Sequence, residues 1–256
     1  MTAAGAIREG LLEVSGLTLH FGGVRAVNGV NFRMPAGELR CLIGPNGAGK
    51  TTFFNLLTGR LRPQRGSIRF LGRDITARRP HERVRLGIAR TFQITNLFVR
   101  LPVFEHARLA AQRRQETWNV LARRDDLPGV NQKAAEALEW VGLADKAALS
   151  ASALSHGERK KLELAMALAS DPTLLLLDEP TAGLNDAETA EVARLLRGIA
   201  GRLSLLVIEH DIAFVREIAD RITVLNRGEV LAEGTVAAIE ADAAVREVYL
   251  AGAGTA

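Results

Sequence analysis

The sequence predicts an α/β protein: a parallel-sheet core interrupted by a helical lobe, with a small antiparallel piece near the N-terminus. Three observations predict it. The last third alternates strand-length and helix-length runs, a pattern that builds a parallel sheet with right-handed crossovers. The strand-length run Glu38–Ile43 leads straight into a Gly-rich loop and then a helix. From about Phe104 to Ala148 the chain is rich in Ala, Leu, Glu and Arg and poor in β-branched residues, which favours helices.

The elements follow in order. Leu11 to Phe32 alternates as strands do, with turn signals at Gly22–Gly23 and Asn28–Gly29. Pro35-Ala36-Gly37 marks another turn, and Glu38–Ile43 reads as a buried strand. Thr51–Thr58 has helical spacing and stops at Gly59; Ser67–Leu71 is a short strand closed by Gly72. Pro128–Gly129 is expected to separate two helices of the middle lobe. A further helix spans Glu158–Ala169 and ends before Asp171–Pro172. Thr173–Leu177, Ser204–Ile208 and Ile222–Leu225 then read as strands, with helices at Ala187–Ala200 and Ile212–Ala219 between them.

A hydrophobic share of 47% against 24% charged is that of a soluble globular protein. No stretch approaches the roughly 20 apolar residues that cross a bilayer. Arg8, Glu9 and Glu13 stand where a signal peptide needs an unbroken apolar core. The expectation is a cytoplasmic protein that touches a membrane only through a partner. Cys41, the single cysteine, excludes an internal disulfide; in the apolar run Leu39–Ile43 it reads as a buried structural thiol. The net charge of +4 comes with Arg-rich patches that are dispersed and interrupted by acids. With aromatic residues at 5%, too few for a base-stacking platform, no nucleic-acid partner is expected. The basic surface reads as a solvated one, partly matched to anionic lipid headgroups.

Gly44, Pro45, Asn46, Gly47, Ala48, Gly49, Lys50, Thr51 and Thr52 fit the phosphate-loop pattern G-x-x-x-x-G-K-[ST], with the required strand before and helix after. Glycines let backbone N–H groups turn toward a phosphate, and the helix N-terminus adds partial positive charge there. Lys50 is a point charge for the β- and γ-phosphates. The Thr51 hydroxyl suits Mg²⁺, a hard cation, and Thr52 can donate on the α-phosphate side.

The apolar run Leu174–Leu177 ends in Asp178 and Glu179. A parallel strand delivers such residues to the sheet edge that carries the phosphate loop. Because neighbouring strand residues point to opposite sides, the two acids are expected to have different tasks: Asp178 for Mg²⁺, through its water shell, and Glu179 for orienting and deprotonating the attacking water. His210 follows a third strand on the same edge, where a neutral imidazole can bond γ-phosphate oxygens.

Together these residues resemble the ATPase subunit of ABC transporters. Leu154-Ser-His-Gly-Glu-Arg159 resembles the family signature Leu-Ser-Gly-Gly-Gln, shortly before the acidic strand. Gln93 in Arg90-Thr-Phe-Gln93 matches the glutamine loop, which puts it among the catalytic residues and the metal ligands. Asn185 in Ala182-Gly-Leu-Asn185 lies in the loop usually written Ser-Ala-Leu-Asp; His210 matches the switch histidine, and Phe21 the aromatic that stacks on adenine. The resemblance covers roughly residues 10 to 250. It implies a P-loop NTPase core of the ABC type with an N-terminal antiparallel β-arm and an inserted α-helical subdomain. The implied divisions are 10–95 and 161–232 for the core, 96–160 for the helical subdomain and 233–256 for a C-terminal extension.

The resemblance also implies a head-to-tail pair of such domains with ATP and Mg²⁺ between them. The phosphate loop of one would face Ser155, His156, Gly157 and Glu158 of the other. His156 and Glu158 depart from the signature and are expected to face outward. Segments around Gln93, Asn185 and His210 look like the branched-chain amino acid uptake ATPases; Gly37–Cys41, Leu154–Gly157 and Glu247–Leu250 look like the urea and short-amide ones. The partners implied are permease transmembrane subunits, a second ATPase (identical or different) and, indirectly, a periplasmic substrate-binding protein. That places the chain peripherally on the inner face of the cell membrane. The alternative is another ABC system, for export or lipopolysaccharide extraction, with the same chemistry. Phe98, Leu101 and Phe104 either anchor the permease or pack inside the lobe.

Overall fold

Leu174 and Leu176 belong to one apolar cluster, Leu175 and Leu177 to another. A strand sends successive side chains to opposite faces, so a strand covered on both sides is apolar throughout. The computed structural model describes residues 10–91, 97–112 and 128–253, without the side chains of 128 and 249–253. Its strands are β1 (Leu12–Phe21), β2 (Val24–Met34), β3 (Leu39–Ile43), β4 (Arg65–Phe70), β5 (Arg73–Asp74), β6 (Ile88–Arg90), β7 (Leu174–Asp178), β8 (Ser204–Ile208), β9 (Arg221–Asn226) and β10 (Glu229–Gly234). The core sheet has the order β10-β9-β3-β8-β7-β6; β10 pairs antiparallel with β9 and the other pairings are parallel.

On one face of that sheet lie the antiparallel sheet β2-β1-β4-β5 and helix α1 (Lys50–Leu57), packed through Phe53, Phe54 and Phe70. The helices α2 (Pro80–Arg85), α3 (Val103–Gln112), α4 (Pro128–Trp140), α5 (His156–Ala169), α6 (Asp186–Ile199), α7 (Ile212–Ile218), α8 (Val236–Ala241) and α9 (Ala243–Ala253) complete the described α-helices. Val103 and Ala107 of α3, Ala134 and Leu138 of α4, and Leu162 and Ala165 of α5 share one core with the other face of the sheet. Helix α5 crosses residue 160, the expected lobe boundary, without a break.

Pro128–Gly129 marks a helix boundary, as expected, by opening α4; proline is well tolerated in the first turn, where its missing N–H has no intrahelical partner to lose. One reading of local sequence is corrected. Asn28–Gly29 is not a turn but lies inside β2, where Gly29 has φ 65° beside register shifts in the β1–β2 pairing. A bulge absorbs the glycine, and Gly22–Gly23 alone makes the hairpin, since Phe21 pairs with Val24. Cys41 is fully buried and free, and burial raises its thiol pKa far above the ordinary range, as a structural thiol requires.

Arg83 of α2 fixes the far end of α1. It is 1% exposed and donates to the carbonyls of Leu56 (2.6 Å), Leu57 (2.7 Å), Thr76 (3.0 Å) and Arg78 (3.1 Å). A cation at a helix C-terminus meets the negative end of the dipole and the carbonyls that the helix leaves open. Burial pushes its pKa down to about 10, still charged at neutral pH. Arg83→Ala orphans buried carbonyls at about 1–3 kcal/mol each, so the expected loss is about 3 kcal/mol of unfolding free energy in urea titrations. A change below about 1 kcal/mol would show that water replaces the guanidinium.

Candidate nucleotide site

The loop between β3 and α1 is shaped by close backbone approaches. At Gly44 (φ 150°) a Cβ would stand 2.1 Å from the Leu225 carbonyl oxygen, and at Gly49 (φ 101°) 2.1 Å from that of Ala26. Only glycine fits either place. The Gly228 amide donates to the Ala48 carbonyl at 3.0 Å, which ties the loop to the β9–β10 turn. Asn46, Gly47 and Thr51 are exposed, Pro45, Gly49, Lys50 and Thr52 half-buried, and Gly44 and Ala48 buried. Lys50 Nζ donates to the carbonyls of Gly44 (2.6 Å) and Pro45 (3.1 Å). Burial pulls the ammonium pKa down, opposed by the carboxylates of Glu179 and then Asp178. Phe21 sits at the tip of the antiparallel sheet and is 51% exposed.

Asp178 ends β7 on the α1 side. Its Oδ2 accepts from Arg90 Nη2 at 2.6 Å, while Oδ1 has no protein donor among the described residues. Glu179 lies outside the strand, at φ 49°, with its amide on the Ile208 carbonyl (3.0 Å). Strand alternation therefore does not separate the two acids, as the sequence suggested; a left-handed residue does. Such a backbone is uncommon for glutamate and recurs at functional sites. Glu179 Oε1 is 3.9 Å from Nδ1 of His210, whose side chain is 66% exposed.

Glu209 escaped the sequence reading. It is fully buried; its Oε1 accepts from the amide (3.1 Å) and hydroxyl (2.5 Å) of Thr181, and its Oε2 from the His210 amide (3.0 Å). It thus fixes the segment after Glu179 to the residue before His210. The signal was an acid directly after the apolar run Leu205–Ile208, hidden beside the more conspicuous histidine.

Ser155 caps α5. Its Oγ accepts from the Glu158 amide (3.2 Å), and its own amide donates to Glu158 Oε2 (2.9 Å). Glu158 also pairs with Lys146, and that contact, then the Ser155 amide, holds its carboxyl below the usual range. Glu158 is therefore folded back into a capping box and not turned outward. His156 is exposed, yet its Nε2 lies 3.1 Å from where a Cβ on Gly183 would stand, so the ring leans over the Ala182–Asn185 loop. Gly157 is buried against Glu188. Asn185 caps α6 through a second box with Glu188, at 3.0 Å in both directions. Gln93 lies outside the described residues. Phe98 is exposed, whereas Leu101 and Phe104 are half-buried, and Phe104 packs on the core.

The three parallel strand ends β3, β7 and β8 bring Lys50, Asp178, Glu179 and His210 to one edge. Thr51 Oγ1 and Asp178 Oδ1 are hard oxygens that no protein donor engages among the described residues. Mg²⁺ at phosphate sites takes one or two protein oxygens plus waters and phosphates, so this small donor set fits it.

The chain matches the family described as ABC transporter over residues 27–182. It is 41% identical over 249 residues to the high-affinity branched-chain amino acid transport ATP-binding protein BraF of Pseudomonas aeruginosa, spanning 94% of this chain and 97% of that one. The corresponding protein LivG of Escherichia coli is 39% identical over 249 residues, with 94% and 97% covered. Among solved structures, a nucleotide-free ATP-binding cassette from an ABC transporter superposes with TM-score 0.82 at 28% identity, covering 94% of this chain and 98% of that one.

Proposed function

The chain belongs to the ABC transporter family, with the fold of its ATP-binding cassette, and we propose that it is the ATP-hydrolysing subunit of an importer for branched-chain amino acids or related small amides. The observation that carries the reading is the edge where Lys50, Asp178, Glu179 and His210 meet. Amides of the phosphate loop and the N-terminus of α1 hold the phosphates. Lys50 exchanges the Gly44 and Pro45 carbonyls for β- and γ-phosphate oxygens. Glu179 orients and deprotonates the attacking water, and His210 bonds the γ-phosphate. Phe21 offers its exposed ring to adenine. Thr51, Asp178 and Gln93 would hold Mg²⁺, which would supply positive charge to offset that of the phosphates. Ser155 and the amides of His156 and Gly157, the open first turn of α5, suit the γ-phosphate of ATP bound by a head-to-tail partner subunit.

A groove of about 420 Å³ separates the helical lobe from the core, lined by Ile88, Ala89, Leu97, Leu109 and Met166 among others. It suits a short helix of a permease subunit. No helix among the described residues is long and apolar enough to cross a membrane, so attachment to the inner membrane face would run through that groove. The substrate class is taken from what BraF and LivG are named for, and it favours import over export or lipopolysaccharide extraction.

The test is co-purification with candidate membrane subunits in lipid, with ATP turnover followed as a loaded binding protein is added. Leucine, isoleucine, valine or a short amide should raise turnover; stimulation by lipopolysaccharide alone would favour the alternative. Leu109, 42% exposed in the groove, supplies a second check. Leu109→Glu should weaken permease association by about tenfold or more, since burying an unpaired carboxylate costs several kcal/mol. Basal turnover of the isolated chain should stay at the parent level. Equal co-purification of variant and parent would exclude this groove.

A further inference from the structure

Arg90 grips the acid assigned to the metal. The side chain is 9% exposed and that of Asp178 2%. Arg90 ends β6 opposite Leu176 of β7, two residues before Asp178, so a long side chain running along the strand reaches the carboxylate. Nη2 donates to Asp178 Oδ2 at 2.6 Å and Nη1 to Asn55 Oδ1 at 2.7 Å, and the cation lies 5.7 Å from the centre of the Phe54 ring. Asn55 and Phe54 belong to α1, the helix that begins at Lys50. Among the described residues, Arg90 Nε is buried with no hydrogen-bond partner.

A guanidinium that served only to neutralise a buried acid would be expected to satisfy its donors around that acid. This one leaves Nε bare and divides its fork between a carboxylate and an amide on the phosphate-loop helix. The division fixes Asp178 relative to α1, and it occupies one carboxylate oxygen while leaving the other open. A lysine, a point charge, cannot hold both acceptors in one plane. We propose that Arg90 is a positioning residue for the nucleotide's Mg²⁺: by taking Asp178 Oδ2 against a brace on α1, it presents Oδ1 to the metal. The inference rests on the assignment of Asp178 to Mg²⁺ made above. Partners of this kind, hydrogen-bonded to a group that holds a metal, change its affinity by about 10–100-fold when lost.

The experiment titrates MgCl₂ into the purified full chain with a fluorescent ATP analogue, and measures analogue binding in EDTA as the reference. R90K keeps the charge and loses the fork. It should raise the Mg²⁺ concentration at half-saturation about tenfold while leaving the EDTA affinity at the parent value. A merely structural role would weaken both alike, and that result overturns the inference. So does an unchanged half-saturation in R90K when D178N raises it. If D178N itself leaves the half-saturation unchanged, the assignment of Asp178 falls and takes the inference with it. Should R90K fail to fold, Asn55→Ala carries the test, since it spares the ion pair and removes only the brace. It should shift the half-saturation in the same direction by less, and no shift would overturn the proposal.

Discussion

Glu179→Gln is expected to bind ATP and hardly turn it over, with phosphate release slower by about 10²–10⁴-fold, the range a positioned general base contributes. The substitution keeps the size and the hydrogen-bonding reach of the side chain, and removes only its capacity to take a proton. Its structural cost is small. The backbone there is fixed by the hydrogen bond from its amide to the Ile208 carbonyl and by the Thr181–Glu209 contacts behind it, neither of which involves the Glu179 carboxylate. A second result follows from the same substitution. If ATP joins two subunits, blocked hydrolysis leaves them joined, so size-exclusion chromatography with ATP should show a dimer that the parent chain forms only transiently. Turnover equal to the parent would remove Glu179 as the base and leave the left-handed backbone at that residue without a functional reason.

Lys50→Ala should lose ATP affinity by about 100-fold or more. Hydrogen bonds to charged groups contribute about 1.5–3 kcal/mol each, and the ammonium is placed to make two, so about 3 kcal/mol is the smaller estimate. The fold should tolerate the change. Lys50 donates to two carbonyls of its own loop, those of Gly44 and Pro45, and the loop's shape is set by Gly44, Gly49 and the Gly228 amide instead. Calorimetry with ATP reads the affinity and a urea titration reads the fold. Retained affinity with an intact fold would discredit the loop as the phosphate site.

What the sequence makes legible here is short-range. The phosphate loop, the acids closing an apolar strand and the strand–helix alternation are all local patterns, and the structure keeps them in order. One misreading was local as well. Asn28–Gly29 has the composition of a turn, but a bulge can use the same positive φ inside a strand. Glu158 departs from the family pattern at its position, yet Ser155-x-x-Glu158 is itself a capping-box signature. Arg90 and Glu209 were illegible for another reason. Their roles arise from partners 88, 35 and 28 positions away along the chain, and hydrophobic periodicity carries no information about such pairings.

The β9–β10 turn has a consequence beyond its own neighbourhood. At Gly228 (φ 82°) an added Cβ would stand 2.6 Å from the Arg25 carbonyl oxygen, while its amide holds Ala48 and its carbonyl accepts from the Asn28 amide at 2.8 Å. One residue far down the chain is thus the keystone where the antiparallel sheet, the Gly44–Thr52 loop and the edge of the core sheet lean on each other. Damage there should mimic loss of the active site in a protein whose every reacting group is intact.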